Sequence, residues 1–149
     1  MKRTIELAKE NIKRGGGPFG ALIAKEGKVI AEAANSVRSE NDPTAHAEIL
    51  AIRTAAEKLG THDLNGCELY TSCEPCPMCL GAVYWAHIDK VYYAATHDDA
   101  RDVGFDDADM YNEMKKDRSE RNIKMDSAFR EDSLRVFNLW KEKQDKLEY

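Results

Sequence analysis

The chain has 149 residues, 42% of them apolar, with 22 Lys and Arg against 27 Asp and Glu. That length suits one domain spanning 1–149 with its own core and no need of disulfide staples, and the net charge of −5 offers no general attraction to nucleic-acid backbones or anionic membranes. Met1–Glu10 mixes charged and apolar residues, unlike a signal peptide, and no apolar run is long enough to cross a bilayer. The expectation is a cytoplasmic protein with no membrane partner, whose four cysteines bind metal, react or are buried in preference to pairing as disulfides.

Met1, Ile5, Ala8 and Ile12 recur at helical spacing until Gly15-Gly16-Gly17-Pro18 ends the pattern. Phe19–Ala24 and Val29–Ala34 are apolar stretches separated by Lys25-Glu26-Gly27-Lys28, which predicts an antiparallel hairpin. Asp42-Pro43-Thr44 supplies helix-start chemistry, and a helical pattern runs on to Leu59-Gly60. A strand follows at Cys67–Thr71. Pro75 suits a first helical position, and Met78, Leu80, Ala82, Val83 and Trp85 predict a mostly apolar, buried helix. Val91–Ala95 reads as a strand, followed by a short helix, a last strand near Asn122–Met125, and a helix carrying Leu134, Phe137 and Trp140. This order implies an α/β protein, a three-layer α/β/α sandwich around a central mixed sheet of five strands.

Chemistry concentrates in two short blocks, His46-Ala47-Glu48 and Pro75-Cys76-Pro77-Met78-Cys79. Cys76 and Cys79, three apart at a predicted helix start, can direct both sulfurs into one tetrahedral site, and His46 completes three protein ligands. A structural zinc usually takes four protein ligands, whereas three with an open fourth position is the arrangement that holds a reactive water. No separate second cysteine pair follows to close the site, and Cys73, which stands three residues before Cys76 just outside the motif, reads as a packing or loop residue. Glu48, two residues beyond His46, can stand beside the metal without binding it and move protons during hydrolysis of an amidine-like carbon. His-x-Glu followed by Pro-Cys-x-x-Cys is the signature of zinc deaminases acting on nucleobases. Taken singly, Glu48 reads as a solvated helix-start residue, and the cysteine pair reads equally as a redox motif. Cys67 and Cys73 read as packing or loop residues, and His62, His87 and His97 lack partners at ligand spacing.

Across Asp42–Ile52 and Thr71–Ala86 the chain resembles the cytidine-deaminase-like superfamily, in particular its bacterial guanine deaminases. Cys73-Glu74-Pro75-Cys76-Pro77-Met78-Cys79-Leu80-Gly81-Ala82, running on to Tyr84-Trp85-Ala86, carries most of the likeness. It continues at Val91–Ala95, Gly104-Phe105-Asp106-Asp107 and the closing Lys146-Leu147-Glu148-Tyr149. The resemblance implies one zinc ion per subunit held by His46, Cys76 and Cys79, and Glu48 as proton shuttle. It also implies Asn35 and the Ala47 backbone as purine-holding groups, Phe19 and Trp85 as walls of the base pocket, and Asp107 as an acidic residue that contacts the purine or assists proton transfer. It further implies a homodimer that exchanges its C-terminal segments, about 141–149, so that the final Tyr149 closes the partner's site. From composition alone that polar tail would fray.

The resulting expectation is hydrolytic deamination of a free purine base, guanine to xanthine and ammonia. A tRNA adenosine deaminase shares the same two blocks, including Asp42-Pro43-Thr44-Ala45-His46-Ala47-Glu48, but the acidic run after Ala95 does not offer phosphates the basic groups an RNA-binding enzyme needs. No nucleic-acid partner is therefore expected. Ammeline and guanosine present a chemically similar ring edge and remain alternative substrates. A non-catalytic zinc-stabilised binding module is the remaining alternative, and retention of Glu48 argues against it.

Overall fold

The computed structural model describes residues 1–147, which divide into two compact units, Met1–Met110 and a second that begins at Tyr111. In the first, α1 (Lys2–Lys13) leads through the glycine run into β1 (Gly20–Lys25) and β2 (Lys28–Ala34). The hairpin between the strands turns at Glu26 and Gly27, both with positive φ. A one-turn helix, α2 (Val37–Glu40), precedes α3 (Ala47–Leu59), which stops at Gly60 in the left-handed conformation that satisfies the last helical carbonyls. β3 (Cys67–Cys73), α4 (Pro77–Trp85) and β4 (Lys90–Ala95) form a strand, crossover helix and parallel strand, and α5 (His97–Asp102) follows, opened by a reciprocal Thr96–Asp99 capping box.

The sheet order is β2-β1-β3-β4, with β1 antiparallel to both neighbours and β3 parallel to β4. Alternation along the strands decides which helix each residue meets. Ala21 and Ile23 of β1 and Cys67 and Leu69 of β3 join Ala47, Ala51 and Ala55 of α3 and Val83 of α4 in one buried cluster. The opposite face of β1 lies against α1 so closely that a Cβ on Gly20 would stand 2.5 Å from the Thr4 carbonyl oxygen and 2.7 Å from Leu7 Cβ. The three layers are thus α1, the mixed sheet, and α3 with α4. No helix of the described residues is long and apolar enough to cross a membrane.

Several sequence expectations change in detail. Among the described residues the sheet has four strands, not five. Asn122–Met125 is not a strand, because its neighbourhood is tied to the preceding helix, α6 (Ala108–Lys115). The Asn122 backbone N–H donates to the Glu113 carboxylate at 2.6 Å, and the Arg121 guanidinium donates to the carbonyls of Met114 and Lys116. The Glu113 carboxylate thus takes the first backbone donor that a strand there would spend on a neighbour, and Arg121 ties the segment back to the end of α6. Asp42 starts no helix. Its carboxylate instead accepts from the backbone N–H and hydroxyl of Thr44, both at 2.7 Å, closing a turn that delivers His46 to the N-cap of α3. The first-turn proline of α4 is Pro77, with Cys76 as N-cap, and Pro75 lies outside. That helix is buried on one side only, through Pro77, Cys79 and Val83, while Tyr84 and Trp85 are exposed. In the second unit, α7 (Arg130–Glu142) confirms the helix expected around Leu134, Phe137 and Trp140, and it buries none of its residues.

Candidate active site

Two helix N-termini build the metal-ligating cluster. His46 and Cys76 are the N-cap residues of α3 and α4, both with extended backbone, and neither side chain is spent on capping its own helix. The His46 Nδ1 atom stands 3.6 Å from Cys76 Sγ and 3.5 Å from Cys79 Sγ, and the three ligand atoms lie within 4.8 Å of one another. A tetrahedral zinc with bonds of ~2.3 Å to sulfur and ~2.0–2.1 Å to nitrogen holds such N and S atoms about 3.5 Å apart. The donor set therefore fits a zinc ion in both type and spacing. The partial positive charge of the helix ends favours the thiolates that metal binding requires.

Cys76 and Cys79 shift each other in opposite directions. The Cys76 thiol is pulled down to about 4, first by its hydrogen bond with Cys79 and then by His46, whereas Cys79 is pushed above the ordinary thiol range by that same bond and by burial. Cys67 is buried in the core, whereas Cys73 lines the same cleft without joining the ligand triangle; its thiol, pushed up to about 11 by burial, donates to the Thr96 carbonyl.

Glu48 occupies the first turn of α3 and is only 5% exposed. Its Oε1 accepts a 3.0 Å hydrogen bond from the Thr71 hydroxyl, and its Oε2 lies 3.6 Å from Cys79 Sγ. Burial raises its pKa, with the Thr71 bond acting in the opposite sense. β3 supplies Thr71 because Cys67, Leu69 and Thr71 share the strand face toward α3. Ser72, on the other face, accepts from the Gly20 backbone N–H at 3.0 Å. A one-residue slip of β3 would turn the hydroxyl away from Glu48.

His46, Glu48 and Cys76 line a cleft of about 1110 Å³ together with Phe19, Asn35, Phe105 and Asp107. Phe19 meets Phe105 edge to face, with centroids 4.8 Å apart. Asn35 follows the end of β2, and its backbone N–H donates to the Phe19 carbonyl at 3.2 Å. Ala47 is fully buried at the start of α3, where first-turn N–H groups have no acceptor within the helix. Trp85, in contrast, is 70% exposed at the end of α4 and is not among the residues lining the cleft, so the structure does not bring it to Phe19 as a second wall. Tyr149 lies outside the described residues.

Sequence reasoning passed over His97, Thr71 and Asn11. His97 Nδ1 is 3.2 Å from Asp107 Oδ1, its Nε2 is 3.6 Å from Glu74 Oε1, and its backbone N–H donates to Glu74 Oε2. No spacing rule links these residues, since loops and strand ends bring them together. Asn11 on α1 donates to Asn35 across 24 positions, and the only signal for it was a polar residue just before the glycine run.

Residues 1–95 match the family described as the cytidine and deoxycytidylate deaminase zinc-binding region. The chain is 51% identical to the guanine deaminase of Bacillus subtilis over 150 aligned positions, covering 100% of this chain and 96% of that protein. The crystal structure of that enzyme superposes with a TM-score of 0.96, covering 99% of this chain and 95% of that one. The guanine deaminase from Nitrosomonas europaea is 42% identical, with a TM-score of 0.67, over 71% of this chain and 62% of that one. A tRNA-specific adenosine deaminase of Aquifex aeolicus is 47% identical over 95 residues, 64% of this chain and 63% of that protein. With a His-Cys-Cys donor set of zinc spacing and matches that run the length of the fold, the chain belongs to the zinc-binding cytidine and deoxycytidylate deaminase family.

Proposed function

We propose that this protein hydrolyses the exocyclic amine of guanine, giving xanthine and ammonia. The observation that carries the reading is a buried carboxylate, Glu48, beside a metal-binding triangle that opens on a cleft wide enough for a purine. End-to-end likeness to a guanine deaminase supports the substrate, whereas the tRNA deaminase shares only part of its length.

His46, Cys76 and Cys79 would hold zinc, which when bound supplies Lewis-acid activation of water for attack on the amine-bearing carbon. Glu48 then handles the protons. Its carboxylate accepts one from the attacking water, passes it to the adjacent ring nitrogen, and returns the second to the departing amine, so that water and guanine leave as xanthine and ammonia. Thr71 fixes Oε1, which leaves Oε2 facing the metal ligands. Asn35 and the Ala47 backbone hold the base edge, Phe19 with Phe105 covers its face, and Asp107, held by His97, meets its polar rim. The experiment is ammonia release by the zinc-loaded protein from guanine, guanosine, ammeline, cytosine and a tRNA anticodon stem-loop. Turnover is expected on guanine, and turnover of the RNA but not guanine would overturn the assignment.

We infer further that two copies pair and exchange their C-terminal segments, about 141–149, with Tyr149 reaching the partner's cleft. Supporting this, α7 leaves Val136, Phe137 and Leu139 more than 60% exposed, which is costly for one chain and is relieved by a second. Sedimentation should give the dimer mass, and removal of residues 141–149 should slow turnover. A monomer with unchanged kinetics after truncation would refute the exchange.

A further inference from the structure

We propose that Asn11 is a specificity-determining positioning residue. It locks the Asn35 side-chain amide with its NH2 group toward the cleft, so that the site takes a base through a hydrogen-bond acceptor edge. The inference rests on the reading that a purine base occupies the cleft. Asn11 Nδ2 lies 2.9 Å from the Gly17 carbonyl oxygen, 3.0 Å from the Asn35 carbonyl oxygen and 2.8 Å from Asn35 Oδ1. Two of those neighbours are backbone carbonyls, which only accept, so this end of the Asn11 amide has to be its NH2 group. The Asn35 atom facing that NH2 group has to be oxygen. The orientation of Asn35 is thereby decided by a residue on another element, and its own NH2 group is turned outward.

Asn35 Nδ2 has no hydrogen-bond partner among the described residues, and no fully buried side-chain nitrogen or oxygen lacks one. It is therefore an accessible donor, on a residue that lines the same cleft as His46 and Glu48. The glycine run makes room for the two amides. A Cβ on Gly16 would lie 2.4 Å from Asn11 Nδ2, and one on Gly17 would lie 3.0 Å from Asn35 Nδ2. Guanine offers acceptors at its C6 carbonyl and ring nitrogens. A base presenting an amine at the same place would set donor against donor and leave both unsatisfied.

Hypoxanthine keeps the C6 carbonyl and the ring nitrogens but lacks the 2-amino group, so it reports binding without turnover. Calorimetry on the zinc-loaded protein should show affinity weakened about 10-fold by Asn35→Ala, the scale of one lost hydrogen bond. Asn11→Ala, which frees the amide to turn, should cost only a few-fold. Asn11→Asp should cost about 10-fold or more, because a carboxylate only accepts and draws the Asn35 NH2 group back toward itself. In the Asn35→Ala background both Asn11 substitutions should leave the affinity unchanged, since Asn11 acts through Asn35. In the unaltered protein, hypoxanthine should shift the Asn35 side-chain NH2 resonances, a readout that needs no variant. An equal cost of the Asn11 substitutions with and without Asn35, an Asn11→Asp protein that binds as tightly as the parent, or unmoved Asn35 resonances would each overturn the proposal. Ammonia release from guanine by the unaltered protein tests the functional reading separately.

Discussion

Glu48→Gln protein should bind one zinc ion per chain and release ammonia from guanine about 10²–10⁴-fold more slowly than the parent, the range lost when a positioned proton carrier is removed. The substitution keeps the shape of the side chain, and the amide oxygen still accepts from Thr71, whose 3.0 Å bond holds Oε1 in place. Packing around this 5%-exposed position is thus preserved. What the amide cannot do is accept a proton from water and give it up again to the ring and the amine. Glu48→Ala should lose turnover at least as severely and also retain zinc, because the three donor atoms belong to other residues. Metal analysis together with ammonia release checks both variants. Either one turning over guanine at the parental rate with zinc in place would refute the role given to Glu48.

Cys76→Ala should abolish zinc retention and, with it, turnover. Removing one of three ligands leaves His46 and Cys79 alone, and two protein donors are too few to hold the ion against dialysis. A ligand that binds only the folded chain stabilises it by mass action, so the variant should also lose the melting-temperature increase that added zinc gives the parent. Cys67→Ala is the matched control. Cys67 is fully buried in the core beneath α3 and carries no ligand atom of the cluster, so its removal should leave zinc stoichiometry at one per chain. Elemental analysis after dialysis reads both. A Cys76→Ala protein that holds stoichiometric zinc would show that the ion sits elsewhere.

The cysteine side of the metal-binding triangle was readable before the fold because its geometry is local, and His46 was readable through the His-x-Glu signature that accompanies such a pair. Two cysteines three apart at a helix start face the same way whatever the rest of the chain does. The hairpin at Glu26-Gly27 and the helix stops at the glycine run and Gly60 were readable for the same reason, since the turn chemistry sits at the turn. Near misses are local as well. Asp42 and Pro75 carry helix-start chemistry, yet one closes a turn and the other precedes the cap, so the helices begin at Ala47 and Pro77.

What could not be read was orientation between elements. Trp85 follows the metal motif in an apolar run, yet the turn of α4 leaves it exposed. A strand was expected near Asn122–Met125, yet the carboxylate of Glu113 and the carbonyls at the end of α6 claim its surroundings. The reaction class, hydrolytic deamination at a zinc centre, and most of the element order were determined by the sequence itself, because helical periodicity, turn residues and ligand spacing act within a few residues. Tertiary structure decided the rest. Strand register put the Thr71 hydroxyl under Glu48, the close packing of α1 on β1 brought Asn11 to Asn35, and the end of β4 set His97 between Glu74 and Asp107. Those pairings depend on which faces of separate elements meet, and that choice follows from burying one common core.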